Sequence, residues 1–243
     1  MPSPTRWSRI ARTLARAALP SHCAICGGPC GATVCAPCID DFVRPRRRRC
    51  TCCANPMQLA GALCGRCLAH RPDYDATLAA ADYAPPLDRL VLRLKFAAAL
   101  PLAGWFAAML HEAVVADGRF VVPDLLCPVP LGDRRLATRG FNQALEIARP
   151  LARSLGVALH PGLALRVAET RAQSSVAPGE RRRNVKNAFA LSPQAVWLVR
   201  GKHVGLVDDV MTSGHTLDEL AGLFKRAGAA RVSNMVFART PPS

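Results

Sequence analysis

HVGLVDDVMTSGHTLDEL, residues 203–220, carries an apolar run, an acidic pair and a hydroxyl-rich turn in direct succession. Residues 204–207 form an apolar run of strand type, ending on two adjacent carboxylates, Asp208 and Asp209. A short loop of hydroxyls and glycine follows over 210–215, and a helical pattern starts near Thr216. A strand that ends in a tight turn at the start of a helix is the repeating unit of a parallel α/β sheet. The N–H groups of such a turn, with the helix dipole behind them, favour a phosphate. Thr212, Ser213 and Thr216 add hydroxyl donors, and Gly214 lets the backbone approach closely. Two carboxylates at the mouth would repel a phosphate aimed at them. They suit a ligand that offers hydroxyl donors beside its phosphate, as a ribose 5-phosphate does. Its phosphate would enter the turn of Val210, Met211, Thr212, Ser213, Gly214, His215 and Thr216, and its 2′ and 3′ hydroxyls would meet Asp208 and Asp209.

Working outward, the flanking sequence carries the same alternation. TLAAADYA reads as a strand, PLDRLVLRLKF and LPLAGWFAAMLHEAVVADG as helices, and DLLCPVP as a buried strand stopped by proline. GDRRLATRG reads as a basic turn, FNQALEIARPLARSLG as a helix and LALRVA as a short strand. The stretch TRAQSSVAPGERRRNVKNAF is long, polar and basic, and ARVSNMVFA is a closing strand. These elements predict a mostly parallel sheet with helices on both faces, whose ligands sit beyond the carboxyl ends of the strands.

The chain has 11 cysteines, and all but Cys127 lie between Cys23 and Cys67. They form four C-x2-C pairs: Cys23/Cys26, Cys35/Cys38, Cys50/Cys53 and Cys64/Cys67. Two thiolates three positions apart can face one ion, and two such pairs complete the tetrahedral set that zinc prefers. Arg9, Arg12 and Arg16 interrupt any apolar core of a secretory signal, so a reducing cytoplasm and metal binding are expected rather than disulfides. Two sequential sites are the simplest arrangement, and a cross-braced one or a single occupied site stays open. Cys30 and Cys52 are surplus, and Cys127, within an apolar strand, reads as core. This gives three segments: a basic amphipathic helix over 1–19, a zinc-ribbon module over 20–75, and the α/β domain over 76–243. The first carries Trp7, Ile10, Leu14 and Ala18 on one face and suits either packing on its own domain or a membrane surface.

Lys and Arg total 32 against 17 acids, a formal charge of +15 that favours phosphate-rich partners. The run RPRRRR before Cys50 adds a dense patch, suited to nucleic acid or to solvent. No stretch reaches the ~18 uncharged apolar residues needed to cross a bilayer.

The acidic-pair run resembles the phosphoribosyl pyrophosphate (PRPP) signature of type I phosphoribosyltransferases. With LPSHCAICG, DYAPPLDRLVLRLKF, PVPLGDRRLATRGFNQ and RRRNVKNAF, the chain resembles the ComF family, which joins a zinc ribbon to such a domain. The resemblance implies structural Zn2+ on the eight paired cysteines, Mg2+ bound with PRPP, and Asp208 and Asp209 as the catalytic pair that fixes the ribose. It implies a pyrophosphate loop offering Arg134, Arg135, Arg139, Asn142 and Gln143, with Lys95 in reach of the same anion. It also implies a closing hood over 170–189, offering Arg171, Arg181, Arg182, Arg183 and Lys186. The phosphoribosyl acceptor is not indicated by any residue set. The family's association with natural competence implies a different reading: single-stranded DNA bound without turnover, or docking on a membrane-bound DNA-uptake machinery at the inner face of the cytoplasmic membrane.

Overall fold

The structure, a computed structural model, describes residues 22–43, 48–58, 61–168 and 187–241. The expected N-terminal helix, Arg44 to Arg47 of the basic run, and the hood candidates Arg171, Arg181, Arg182, Arg183 and Lys186 lie outside the described residues. The chain divides into two compact units, Met1–Arg44 and Pro45–Ser243.

In the first unit, Cys23 opens a tight turn that the Cys23 N–H closes on Gly28 O at 2.8 Å, and helix α1 (Ala36–Phe42) starts after Cys35 and carries Cys38. The second unit begins by repeating this design. The Cys50 N–H donates to Asn55 O at 2.8 Å, and helix α2 (Gly65–Ala69) follows Cys64. This second turn shares one core with the sheet: Cys50, Cys53, Cys67 and Tyr74 are buried in the same cluster as Leu206, Met211 and Val236.

The strands are β1 (Ala76–Asp82), β2 (Leu125–Pro128), β3 (Ala158–Leu159), β6 (His203–Met211) and β7 (Arg231–Arg239), all parallel in the order β1-β7-β6-β2-β3. Val-, Leu- and Ala-rich runs buried on both sides suit parallel strands better than alternating ones do. Between β1 and β2 come helices α3 (Leu87–Phe96) and α4 (Pro101–Asp117). After β2 come α5 (Asp133–Arg139) and α6 (Gln143–Leu155). A separate antiparallel pair, β4 (Ala164–Arg166) with β5 (Phe189–Leu191), is followed by α7 (Pro193–Val199). Helix α8 (His215–Arg226) joins β6 to β7.

Helices cover both faces, because successive side chains of a strand point to opposite sides. Phe237 of β7 stacks on Phe106 of α4 at 3.7 Å between ring centroids, while Val232 and Val236 share a buried cluster with Leu220 and Phe224 of α8. The connection from β2 leads outward to β3, and that from β6 leads the other way to β7. The sheet therefore has its switch point between β2 and β6, where open α/β sheets bind ligands.

Several elements differ from the sequence expectation. The basic turn over 132–140 is the short helix α5, started by extended Gly132 and stopped by left-handed Gly140. Strand β6 runs on through both aspartates to Met211, because Asp208 and Val210 keep pairing with Val236 and Ala238. Helix α8 starts at His215, one residue before Thr216, with Gly214 as its cap. Helix α7 was not anticipated.

Candidate functional site

Beyond the carboxyl ends of β2 and β6 opens a cleft of about 940 Å³ among the described residues. Asp208, Asp209 and the turn after them line one side, and Lys95, Phe96, Arg134, Arg135 and Arg139 line it as well. Adjacent strand residues point to opposite faces, so the two acids have unlike surroundings. Asp209 is 2 % exposed, and its Oδ2 lies 2.7 Å from Lys95 Nζ on α3. Burial opposes the Lys95 charge, but the charge and hydrogen bond of Asp209 outweigh it and hold that ammonium above its ordinary range. Asp208 is partly exposed, and its Oδ1 accepts the Asp209 N–H at 2.9 Å. Desolvation first, and the neighbouring Asp209 charge second, hold the Asp208 carboxyl well above the usual carboxylate range, with Lys95 opposing.

The turn is held from behind by two cations that the sequence did not single out. Arg239, at the end of β7 and 3 % exposed, donates from Nε to Cys53 O at 2.9 Å. Its Nη1 donates to Met211 O at 3.0 Å, to Thr212 O, and to Thr240 O at 2.6 Å. Arg66, between the last two paired cysteines, donates from Nη2 to Ser213 O at 2.9 Å. No motif marks either arginine, since each works through a backbone carbonyl distant in sequence. Gly214 has φ of +85°, and a Cβ there would lie 2.6 Å from Met211 Cε and 3.1 Å from Tyr74 Oη. Only glycine fits this turn without strain. The Ser213 Oγ is buried and has no hydrogen-bond partner among the described residues.

Of the other expected residues, Arg134 and Arg135 reach the cleft from α5. Arg139 lies over the Phe96 ring at 5.4 Å and donates to Gln143 Oε1. Gln143 lines the cleft, whereas the Asn142 carboxamide caps α6, accepting from the Ala144 N–H at 2.9 Å and donating to Val129 O at 3.0 Å. Arg166 of β4 also lines the cleft and was missed, being one basic residue in a short strand.

The eight paired cysteines fall into two sets, Cys23/Cys26/Cys35/Cys38 and Cys50/Cys53/Cys64/Cys67, each with all sulfurs within 4.8 Å of one another. The pairing is sequential, not cross-braced. Four thiolates at zinc bonding distance stand about 3.8 Å apart. Cys26 and Cys35 Sγ are 3.8 Å apart, and Cys53 and Cys64 Sγ are 3.6 Å apart, so both sets fit a tetrahedral ion. Burial raises Cys23, but the amides of Cys35, Cys26 and Ile25 directed at its sulfur bring it down to about 6. Surplus Cys52 is buried and pushed up to about 11, and Cys127 to about 12, both chiefly by desolvation.

Residues 142–242 match the phosphoribosyl transferase domain family. The chain is 36% identical over 228 residues to the DNA utilization protein YhgH of Salmonella typhimurium, covering 91% of this chain and 98% of that protein. It is 32% identical over 193 residues to competence protein F of Haemophilus influenzae, covering 78% of this chain and 84% of that protein. Among solved structures, it is similar to the glutamine PRPP amidotransferase of B. subtilis, with a TM-score of 0.37 at 19% identity, over 55% of this chain and 25% of that one.

Proposed function

The chain belongs to the ComF family, with a phosphoribosyltransferase domain and two four-cysteine sets, and from that membership we propose that its cleft binds PRPP or a related ribose phosphate with Mg2+. One observation carries this reading. The acidic pair, the glycine-containing turn and the cationic side chains of α3 and α5 all line a single cleft at the switch point of the sheet. The 5-phosphate enters the turn over 210–216, and the ribose hydroxyls donate to Asp208 and Asp209. Arg134, Arg135, Arg139 and Lys95 face the pyrophosphate. The partly exposed Asp208 carboxylate offers the hard oxygen ligand that Mg2+ prefers, and Mg2+ when bound neutralises charge on the departing pyrophosphate.

In a transfer reaction the bond from the anomeric carbon to pyrophosphate breaks with its electron pair, and an acceptor lone pair forms the new bond on the opposite face. No protein nucleophile is needed. The arginines stabilise the leaving charge, and the acids fix the sugar. The names of the relatives concern DNA utilization and competence, and they support a role linked to handling incoming DNA. Among the described residues no helix is long and apolar enough to cross a membrane.

Titration calorimetry with Mg-PRPP tests the reading. The wild type should bind saturably, and Asp208→Asn and Asp209→Asn should each lose roughly tenfold or more in affinity, as expected for charge-assisted hydrogen bonds. No binding by the wild type, or wild-type affinity in both variants, would remove the assignment.

A further inference from the structure

We propose that Arg66 and Arg239 are positioning residues which make the phosphate turn depend on the metal-loaded state of the second cysteine set, and not of the first. The inference rests on the reading of 210–216 as the phosphate site, but its first readout does not require PRPP.

The geometry carries it. Three consecutive carbonyls of the turn, those of Met211, Thr212 and Ser213, are gripped by guanidinium groups on one side. In a planar trans peptide the C=O and the following N–H point in opposite directions. Holding those carbonyls therefore turns the N–H groups of Thr212, Ser213 and Gly214 away from Arg66 and Arg239. Successive amides presented this way form the concavity that receives an anion.

Both grips originate in the second cysteine set. Arg66 lies between its ligand candidates Cys64 and Cys67, and Arg239 is anchored through Nε to the backbone of Cys53. The packing is continuous as well: Tyr74 backs Gly214, and the Asp73 N–H is bound by Asp218 Oδ1 of α8 at 2.7 Å. Charge supplies the energetic link. Arg239 is 3 % exposed, and the acceptors of its hydrogen bonds are neutral backbone carbonyls. A buried cation held by dipoles alone is costly. Four thiolates around one divalent ion leave a net negative charge beside it, which offsets that cost. A loaded second set thus stabilises the arginine that shapes the turn.

Hydrogen exchange of the full metal-loaded chain, followed with metal content and Mg-PRPP affinity, tests this. Cys64→Ser should lower metal content and speed exchange over 210–216 by roughly tenfold, while Leu125–Pro128 of β2 keeps its protection. Cys26→Ser should also lower metal content but leave 210–216 unchanged. Arg66→Met, on an exposed side chain, should keep the metal and still speed exchange at 213–216, which guards against a Cys64 variant that fails to fold. Unchanged exchange in Arg66→Met, or an equal effect of Cys26→Ser, overturns the proposal. If 210–216 responds as stated while the wild type fails to bind Mg-PRPP, the coupling stands and the ligand assignment falls.

Discussion

At the residue scale, the two neighbouring acids are chemically unequal, and their difference is testable. Asp209 has its charge met by Lys95, whereas Asp208 is pushed well above its ordinary value of 3.8 by burial and by Asp209. A carboxyl whose pKa is raised on folding penalises the native state as pH rises, because the unfolded chain releases the proton first. The penalty begins above 3.8, the value kept by the unfolded chain, and is complete once pH passes the raised folded value. Asp208→Asn should therefore raise the melting temperature at neutral pH by about 2–4 °C, the shift that ~1 kcal/mol gives in a chain of this size. The advantage should grow with pH and then flatten. Thermal scans in which it shrinks as pH rises would contradict the assignment. Sequence revealed that the pair exists, but not which acid would be neutralised, because Lys95 lies more than a hundred positions away on another helix.

At the element scale, β6 and the turn after it were legible because apolar residues, acids, hydroxyls and glycine occur in an order with a mechanical meaning. The ends were less legible. Pairing with β7 carries β6 past the acids, a tertiary effect that local propensity does not contain. Gly205 is similar: a glycine inside a strand weakens it by propensity alone, yet a Cβ there would lie 2.6 Å from both Leu126 Cδ2 and Pro123 Cγ. The strand gives up side-chain packing so that β2 and the segment before it can approach closely. Gly205→Ala should cost about 1–3 kcal/mol, the range for overpacking a filled core, seen as a lower denaturant midpoint with an unchanged slope. A midpoint equal to the wild type would show that the contact relaxes freely. The basic stretch over 132–140 is short and polar, a pattern that predicts a turn. It is a helix because flanking Gly132 and Gly140 adopt the extended and left-handed conformations that bound one.

At the scale of the whole molecule, the +15 charge bears on DNA. If single-stranded DNA binds along basic surface with roughly four phosphates contacted, log K should fall with log salt with a slope of about −3. Oligonucleotide titrations between low and physiological salt measure it, and a flat response would exclude phosphate-led binding. From the sequence alone follow the alternation of strands and helices, the four C-x2-C pairs and the acid–hydroxyl–glycine turn, since each is written in residues a few positions apart. The tertiary structure alone decided that the second cysteine set shares a core with the sheet and that Arg66 and Arg239 grip the turn. It alone also paired Asp209 with Lys95. Those contacts join residues separated by up to 186 positions, and local periodicity holds no information about which distant carbonyl or carboxylate a cation will meet.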